Sequence, residues 1–312
     1  MNFEPNVNWR ETVFVLLAVV CLLPFIAPPV ALALGMAAAL TIGNPFPAKI
    51  GKITKLLLQT SVVGLGFGMN IETVFVAGRD GILFAVATIF GTLALGYFLG
   101  KVLKIDRKIS HLISSGTAIC GGSAIAAVAP VIEADDKQIS VSLGTIFILN
   151  SVALFVFPFV GNWLGLSEKQ FGIWAAIAIQ DTSSVVGAAA RFGEEALQVA
   201  TTVKLARALW IAPLALLTAM FFKSKNARIT VPFFIFLFLA ASVVNTYASL
   251  PDNLLNSFVG VARQGLTLTL FLIGAALSRK TLAEVGIKPM LQGFILWIVI
   301  SVCSLWAVWT IL

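Results

Sequence analysis

Long apolar runs alternate with short polar stretches along almost the whole chain. The runs fall at 12–27, 29–43, 56–76, 81–100, 109–132, 139–161, 171–191, 198–222, 230–247, 258–278 and 289–311. A helix needs about 20 apolar residues to cross roughly 30 Å of hydrocarbon. The pattern predicts an all-α polytopic membrane protein with ten or eleven transmembrane helices. The choice between ten and eleven rests on Pro28-Pro29, where two short runs form either a tight hairpin or one kinked element. Pro and Gly mark run ends, as at Asn44-Pro45-Phe46-Pro47, and no linker divides the chain. Residues 1–312 therefore read as one transmembrane domain.

Two of the runs are interrupted by small polar clusters. One is Ala118-Ile119-Cys120-Gly121-Gly122-Ser123; the other is Ala178-Ile179-Gln180-Asp181-Thr182-Ser183-Ser184. A helix broken in lipid leaves N–H and C=O groups unpaired, which is tolerated only where protein or a water-filled cavity satisfies them. Paired breaks are a common way to build a solute site at the bilayer midplane, so transport leads the functional readings.

Composition supports the membrane assignment. Of 312 residues, 59% are hydrophobic and 11% charged, well under the charged share of about 25% in soluble domains. The net charge of +7 is accounted for by basic loops, so no nucleic-acid partner is expected; the partner is the bilayer. The first run has no Ala-x-Ala-like cleavage site and is expected to be a span rather than a signal peptide. Cys21, Cys120 and Cys303 lie in apolar runs without CxxC spacing, and His111 is the only histidine, so no metal cluster is expected.

Loop charge sets an expected orientation. Lys49, Lys52 and Lys55; Lys101, Lys104, Arg107 and Lys108; Lys169; Lys223, Lys225 and Arg228; and Arg279, Lys280 and Lys288 fall in one set of loops. The alternate loops hold only Arg79, Lys137 and Arg191, together with Glu133, Asp135, Asp136, Glu194 and Glu195. The basic set should be cytoplasmic and the C-terminus outside. The unbroken alternation also implies that both interrupted runs cross fully, because a re-entrant hairpin at either one would invert every later loop.

A faint repeat has an offset of 60: Ala118, Ile119, Ser123 and Ala129 recur as Ala178, Ile179, Ser183 and Ala189, and Leu149 and Leu154 as Leu209 and Leu214. Two full spans per unit would make it a parallel repeat. Gln59 and Gly64 are echoed around Gln264 in a span of opposite direction, as an inverted repeat requires.

Counting 1.5 Å per residue from the acidic loop ends puts Gly121-Gly122, Asp181, Asn150 and Arg207 at roughly 14–17 Å depth, near the middle of the core. Glycine admits close approach of a ligand to the backbone. Asp181 is placed to cap the helix after its break and can carry an ion. Lys204 and Arg207 share one helix face; a charge at this depth costs several kcal/mol unless paired or hydrated. Asp181 is the expected partner for one of them, which leaves a positive charge for an anion. The bland alternatives are close helix packing at the small residues and a purely structural Asp181–Arg207 pair.

The stretches Ser115–Pro130 with Glu133-Ala134-Asp135, and Gln180–Ala189, resemble the signatures of the YeiH family, bacterial inner-membrane proteins carried under the label of sulfate exporters. The resemblance covers essentially the whole chain. It implies a multi-pass bacterial inner-membrane location and a fold similar to the bile-acid:sodium symporter superfamily. That fold has inverted five-helix repeats, a core with crossed discontinuous helices and a separate panel. Breaks in spans five and seven are not five spans apart. Either a second crossover lies near Arg263–Leu270, or this family varies the arrangement.

The expectation is a secondary active transporter of a small inorganic, sulfate-like or organic anion, working by alternating access. Cys120, Gly121, Gly122, Ser123, Asn150, Thr182, Ser183, Lys204 and Arg207 would bind the solute. Asp181, Gln180, Ser142 and Thr145 would carry a coupling Na⁺ or H⁺, with Arg263, Gln264 and Gln59 as secondary candidates. No catalytic residue, resident cofactor or enzyme activity is expected, since no paired acid/base cluster or nucleophile motif is present. The rival readings are a cation:proton antiporter using Asp181, a passive channel and a membrane-embedded enzyme. The oligomeric state is open, with a homodimer one option.

Overall fold

The computed structural model describes residues 9–23, 25–222, 233–248, 251–276 and 285–311. Lys223, Lys225, Arg228, Arg279 and Lys280, used above for orientation, lie outside them, as do 230–232 and 277–278 at the ends of two expected spans. Among the described residues every regular element is helical: α1 (Trp9–Val20), α2 (Pro28–Thr41), α3 (Pro47–Gly66), α4 (Ile71–Val102), α5 (Arg107–Ala118), α6 (Gly122–Val128), α7 (Asp136–Trp163), α8 (Glu168–Ala178), α9 (Thr182–Phe192), α10 (Glu194–Ala208), α11 (Ile211–Phe222), α12 (Phe234–Tyr247), α13 (Asp252–Ala276) and α14 (Ile287–Ile311). Helices α4, α7, α10–α11, α13 and α14 each contain a stretch long and apolar enough to cross a membrane. The protein is an all-α membrane protein.

Local chemistry explains several helix starts. Asp135 with Gln138 and Ser167 with Gln170 form capping boxes that start α7 and α8. Asn70 and Asp106 cap α4 and α5. Pro28 and Pro29 open α2, which separates it from α1 as a distinct element.

The helices pack in two groups. In one, α13 runs between α2 and α3, with α12 also on α3. Helices α2 and α13 lie back to back: a Cβ on Gly35 would sit 2.0 Å from the Phe271 carbonyl, and one on Gly274 would sit 2.3 Å from that of Leu32. Glycine is needed at both places for so close an approach. The other group is built around α5–α11, with α4 and α14 packed on it. Helix α9 bridges the two groups through α2 and α13.

The two interrupted segments do not cross. Lys108 Nζ at the start of α5 donates to the Glu133 carbonyl beyond α6 (2.6 Å), and Gln138 Nε2 donates to Asp106 Oδ1 (3.0 Å). Both ends of α5–α6 are therefore at one end of α7. A Cβ on Gly116 would be 3.1 Å from Ile125 Cδ1, so α6 folds back along α5. The second segment does the same from the opposite end. Phe171 near the start of α8 stacks on Phe192 at the end of α9, with ring centroids 3.8 Å apart. Glu168 Oε2 accepts the backbone N–H groups of Glu195 and Ala196 (2.8 and 3.2 Å). Both rings also face Gly161, near the far end of α7.

The expectation that both segments cross fully is thus corrected. They are two re-entrant hairpins entering from opposite ends of the bundle. The loop holding Glu133 and Asp135 lies at the Lys101–Lys108 end, and Lys169 lies at the other. Helix α13 runs unbroken through Arg263–Leu270, so no second crossover lies there.

This topology is directly testable by impermeant thiol labelling in a cysteine-free background. Lys104→Cys and Lys137→Cys should label from one side of the membrane, and Lys169→Cys from the other. Labelling of positions 104 and 137 from opposite sides would restore full crossing.

Candidate functional site

The first hairpin turns at Ile119–Gly121. Gly121 has φ 61° and ψ −122°, a conformation open essentially to glycine alone. Its N–H bonds back to the Gly116 carbonyl (2.8 Å). The second hairpin turns through Ile179–Asp181, and Asp181 caps α9: its Oδ2 accepts the N–H groups of Ser183 (3.1 Å) and Ser184 (3.3 Å) and the Ser183 hydroxyl. The two tips touch. A Cβ on Gly121 would lie 3.3 Å from Asp181 Cα and 3.2 Å from Ile146 Cγ2. Gln180 Nε2 donates across the contact to Thr117 Oγ1 (3.1 Å).

Three long side chains hold the turns, each standing in for a partner that the broken helices lost. Asn150, at the middle of the 28-residue α7, accepts on Oδ1 the N–H groups of Gln180 (3.0 Å) and Asp181 (3.2 Å). Lys204 donates to the carbonyls of Ile179 (2.8 Å) and Ala176 (3.2 Å), the last turn of α8. Arg207 donates through Nη2 to the Ala118 carbonyl, the last residue of α5, and through Nη1 to Thr88 Oγ1 (2.7 Å). Basic groups at helix C-termini satisfy orphan carbonyls and sit at the negative end of the helix dipole. Lys204 and Arg207 are fully buried.

The structure therefore brings Gln180, Asp181, Asn150, Lys204, Arg207, Cys120 and Gly121 to one locus. Thr182 and Ser183 are buried beside it in the first turn of α9, and Gly122 packs against Phe147 and Leu143. Asp181 pairs with neither Lys204 nor Arg207: no basic side chain among the described residues is within 4 Å of its carboxylate. The expected ion pair is replaced by cation–carbonyl contacts. Ser123 is exposed on α6.

Other candidates sit elsewhere. The Ser142 and Thr145 hydroxyls bond to their own helix at Gln138 and Val141, and the Thr145 methyl faces Gly293 of α14. Arg263 pairs with Glu194 at the exposed start of α10 (2.5 Å), away from the tips. Gln264 follows it on α13, and Gln59 is half-buried on α3. The sequence reading missed Thr88 and Thr117, which hold Arg207 and Gln180. It also missed Gln292, buried between α4, α5 and α14. A lone glutamine in the last apolar run was the signal for that residue.

Among the buried polar atoms without a protein partner, Asn150 Nδ2, Gln180 Oε1 and Arg207 Nε lie at the tips, and Ser115 Oγ, Thr201 Oγ1, Gln292 Oε1 and Trp297 Nε1 lie elsewhere in the bundle. Such orphans are costly in a core.

The chain matches the family model described as Conserved hypothetical protein 698 over residues 14–293. It is 56% identical over 283 residues to a UPF0324 membrane protein of Bacteroides thetaiotaomicron, covering 90% of this chain and 86% of that one. It is 54% identical over 287 residues to one of Porphyromonas gingivalis, with the same shares covered. It is 45% identical over 298 residues to one of Geobacter sulfurreducens, covering 96% of each chain. No solved structure matches it.

Replacing Asn150 tests the tip contact. Asn150→Leu leaves two buried N–H groups unpaired, each worth roughly 1–3 kcal/mol, whereas Asn150→Gln keeps a neutral amide acceptor. The leucine variant should melt several degrees below wild type in detergent and the glutamine variant closer to it. Equal melting temperatures would remove Asn150 from this role.

Proposed function

The chain belongs to the Conserved hypothetical protein 698 family of membrane proteins, and from that premise we propose that it is a secondary active transporter of a small anion rather than an enzyme. The observation that carries this reading is the contact of two opposed re-entrant hairpins, tip to tip at the middle of α7, with unpartnered polar atoms around it. Backbone irregularity at membrane depth is kept where it is buried in protein or lines a water-filled cavity, and opposed breaks of this kind are a common way to build a solute site.

Charge favours an anion. Lys204 and Arg207 are buried at this level, against the single carboxylate of Asp181. The solute would bind at the tips, with Asn150 Nδ2 and Arg207 Nε as its donors and Cys120 and Gly121 as close backbone. Asp181, with its oxygen already shared among three donors of α9, would release or take up a coupling H⁺ or Na⁺ as those donors shift. Access would alternate as the hairpin group moves against the α2–α3–α12–α13 group, with Arg263–Glu194 tying the two groups at one end. The basic ends would face the cytoplasm and the C-terminus the outside of a bacterial inner membrane.

Proteoliposome flux with sulfate and small carboxylates tests this. Arg207→Gln should raise the apparent KM for the anion at least tenfold, and Asp181→Asn should abolish ion-driven accumulation while leaving exchange. Wild-type KM in the first variant and wild-type accumulation in the second would sink the two roles separately. Flux far above about 10³ per second would instead identify a passive channel.

A further inference from the structure

A cavity of about 320 Å³ opens at the end of the bundle from which the first hairpin enters, between α4, α5 and α11. Its polar wall is Lys101, Arg107, Ser110, His111 and Ser114, and among the described residues no carboxylate lines it. Aromatic faces, not acids, hold the two cations. The Arg107 guanidinium lies 4.6 Å from the Phe222 ring centroid and 5.4 Å from that of Phe221, and Lys101 Nζ lies 4.7 Å from that of Tyr97. Stacking pins a guanidinium in place and leaves its in-plane N–H fork available for an oxyanion. Among the described residues no carboxylate is within ion-pair distance of either cation. His111 Nε2 lies 2.9 Å from the Thr218 hydroxyl, which fixes the ring at the cavity wall.

Polar side chains of α5 lead from the cavity wall toward the hairpin tips. Ser110 and Ser114, on its wall, are joined by hydrogen bonds to each other's turn and to Gln292 Nε2. Thr117, which binds Gln180, follows Ser114 by about one turn of α5, a rise of about 5 Å. Arg207 reaches the same level from α10 through Thr88 and Ala118. A polar track therefore runs from the cationic cavity to the tip contact along one helix. At the opposite end, the space beside Arg263 and Glu194 is only about 10 Å³.

We propose that this cavity is a second binding site, an oxyanion vestibule in which Arg107 and Lys101 hold a sulfate- or phosphate-class group. Its role as the antechamber of the tips rests on the transport reading; its binding chemistry does not. The volume admits one such ion with several waters, each about 30 Å³ in the liquid. The group is either a free ion or the phosphate of a lipid headgroup.

The test is equilibrium binding of radiolabelled sulfate, and of inorganic phosphate, to the full chain in detergent at low ionic strength, where screening is weak. Lys101→Gln with Arg107→Gln should weaken binding at least tenfold with an unchanged melting temperature. Arg107→Lys should weaken it less, by losing the fork but not the charge. Repeating the measurement in phosphatidylglycerol and phosphatidylcholine nanodiscs separates the sources. Arg107-dependent competition by the anionic lipid assigns the site to a headgroup, and its absence assigns it to the free ion. Binding of neither probe, or binding unaffected by the double variant, overturns the proposal. Arg107-dependent binding in a protein without flux keeps the vestibule and removes the transporter. Flux with no such binding does the reverse.

Discussion

Everything at the centre of this fold depends on satisfying the backbone at two places where helices stop inside the bundle. A hairpin tip exposes the last carbonyls of one half-helix and the first N–H groups of the next. In hydrocarbon each unpaired group costs several kcal/mol. Here the carbonyls are taken by Lys204 and Arg207, and the N–H groups by Asn150 and by Asp181 acting as a cap. Two costs thereby offset one another: buried cations gain acceptors at the negative ends of helices, and orphan carbonyls gain charged donors.

The partners are supplied reciprocally. The segments Arg107–Trp163 and Glu168–Phe222 are each a hairpin followed by a long helical stretch, and they enter from opposite ends. Half-helices α5 and α8 end at Ala118 and Ala178, and α6 and α9 are preceded by Gly121 and Asp181, sixty positions apart in both cases. The long helix of the first segment holds the tip of the second through Asn150. The long helix of the second holds the tip of the first through Arg207. Neither hairpin is complete without the other segment, which couples any movement of one tip to the other.

The two breaks and the convergence of Asn150, Asp181 and Arg207 were legible, because apolar length and rise per residue depend on local sequence alone. The division between the third and fourth runs was not: α3 ends at Gly66, the chain turns over 67–70 inside the expected run 56–76, and α4 continues through Arg79, which was expected in a loop. Nor was the course of the broken segments. One hairpin does invert every later loop, but a second restores the parity. Between them the only exchange of basic residues is Lys169 for Lys137, so the charge alternation is equally regular in both topologies. The offset-60 echo was a true signal misread for the same reason. Counted as two spans the unit is parallel, whereas as a hairpin plus one span it is inverted. The Asp181–Arg207 pair failed because a sequence shows charges but not carbonyls, and at a broken helix the carbonyl is the stronger claimant.

That substitution sharpens the argument about solute charge. The half-helix ends meet in opposed pairs, so their partial charges of about half a unit largely cancel. What remains is two basic side chains and one carboxylate. The carboxylate is directed to the N–H groups of α9, where it neutralises a positive helix end rather than a cation. Basic groups therefore outnumber acidic ones at the tips, and their positions are set by the backbone itself. On the transport reading proposed above, an anion would add the missing charge. A cation would have to draw Asp181 away from its cap and leave the start of α9 unsatisfied.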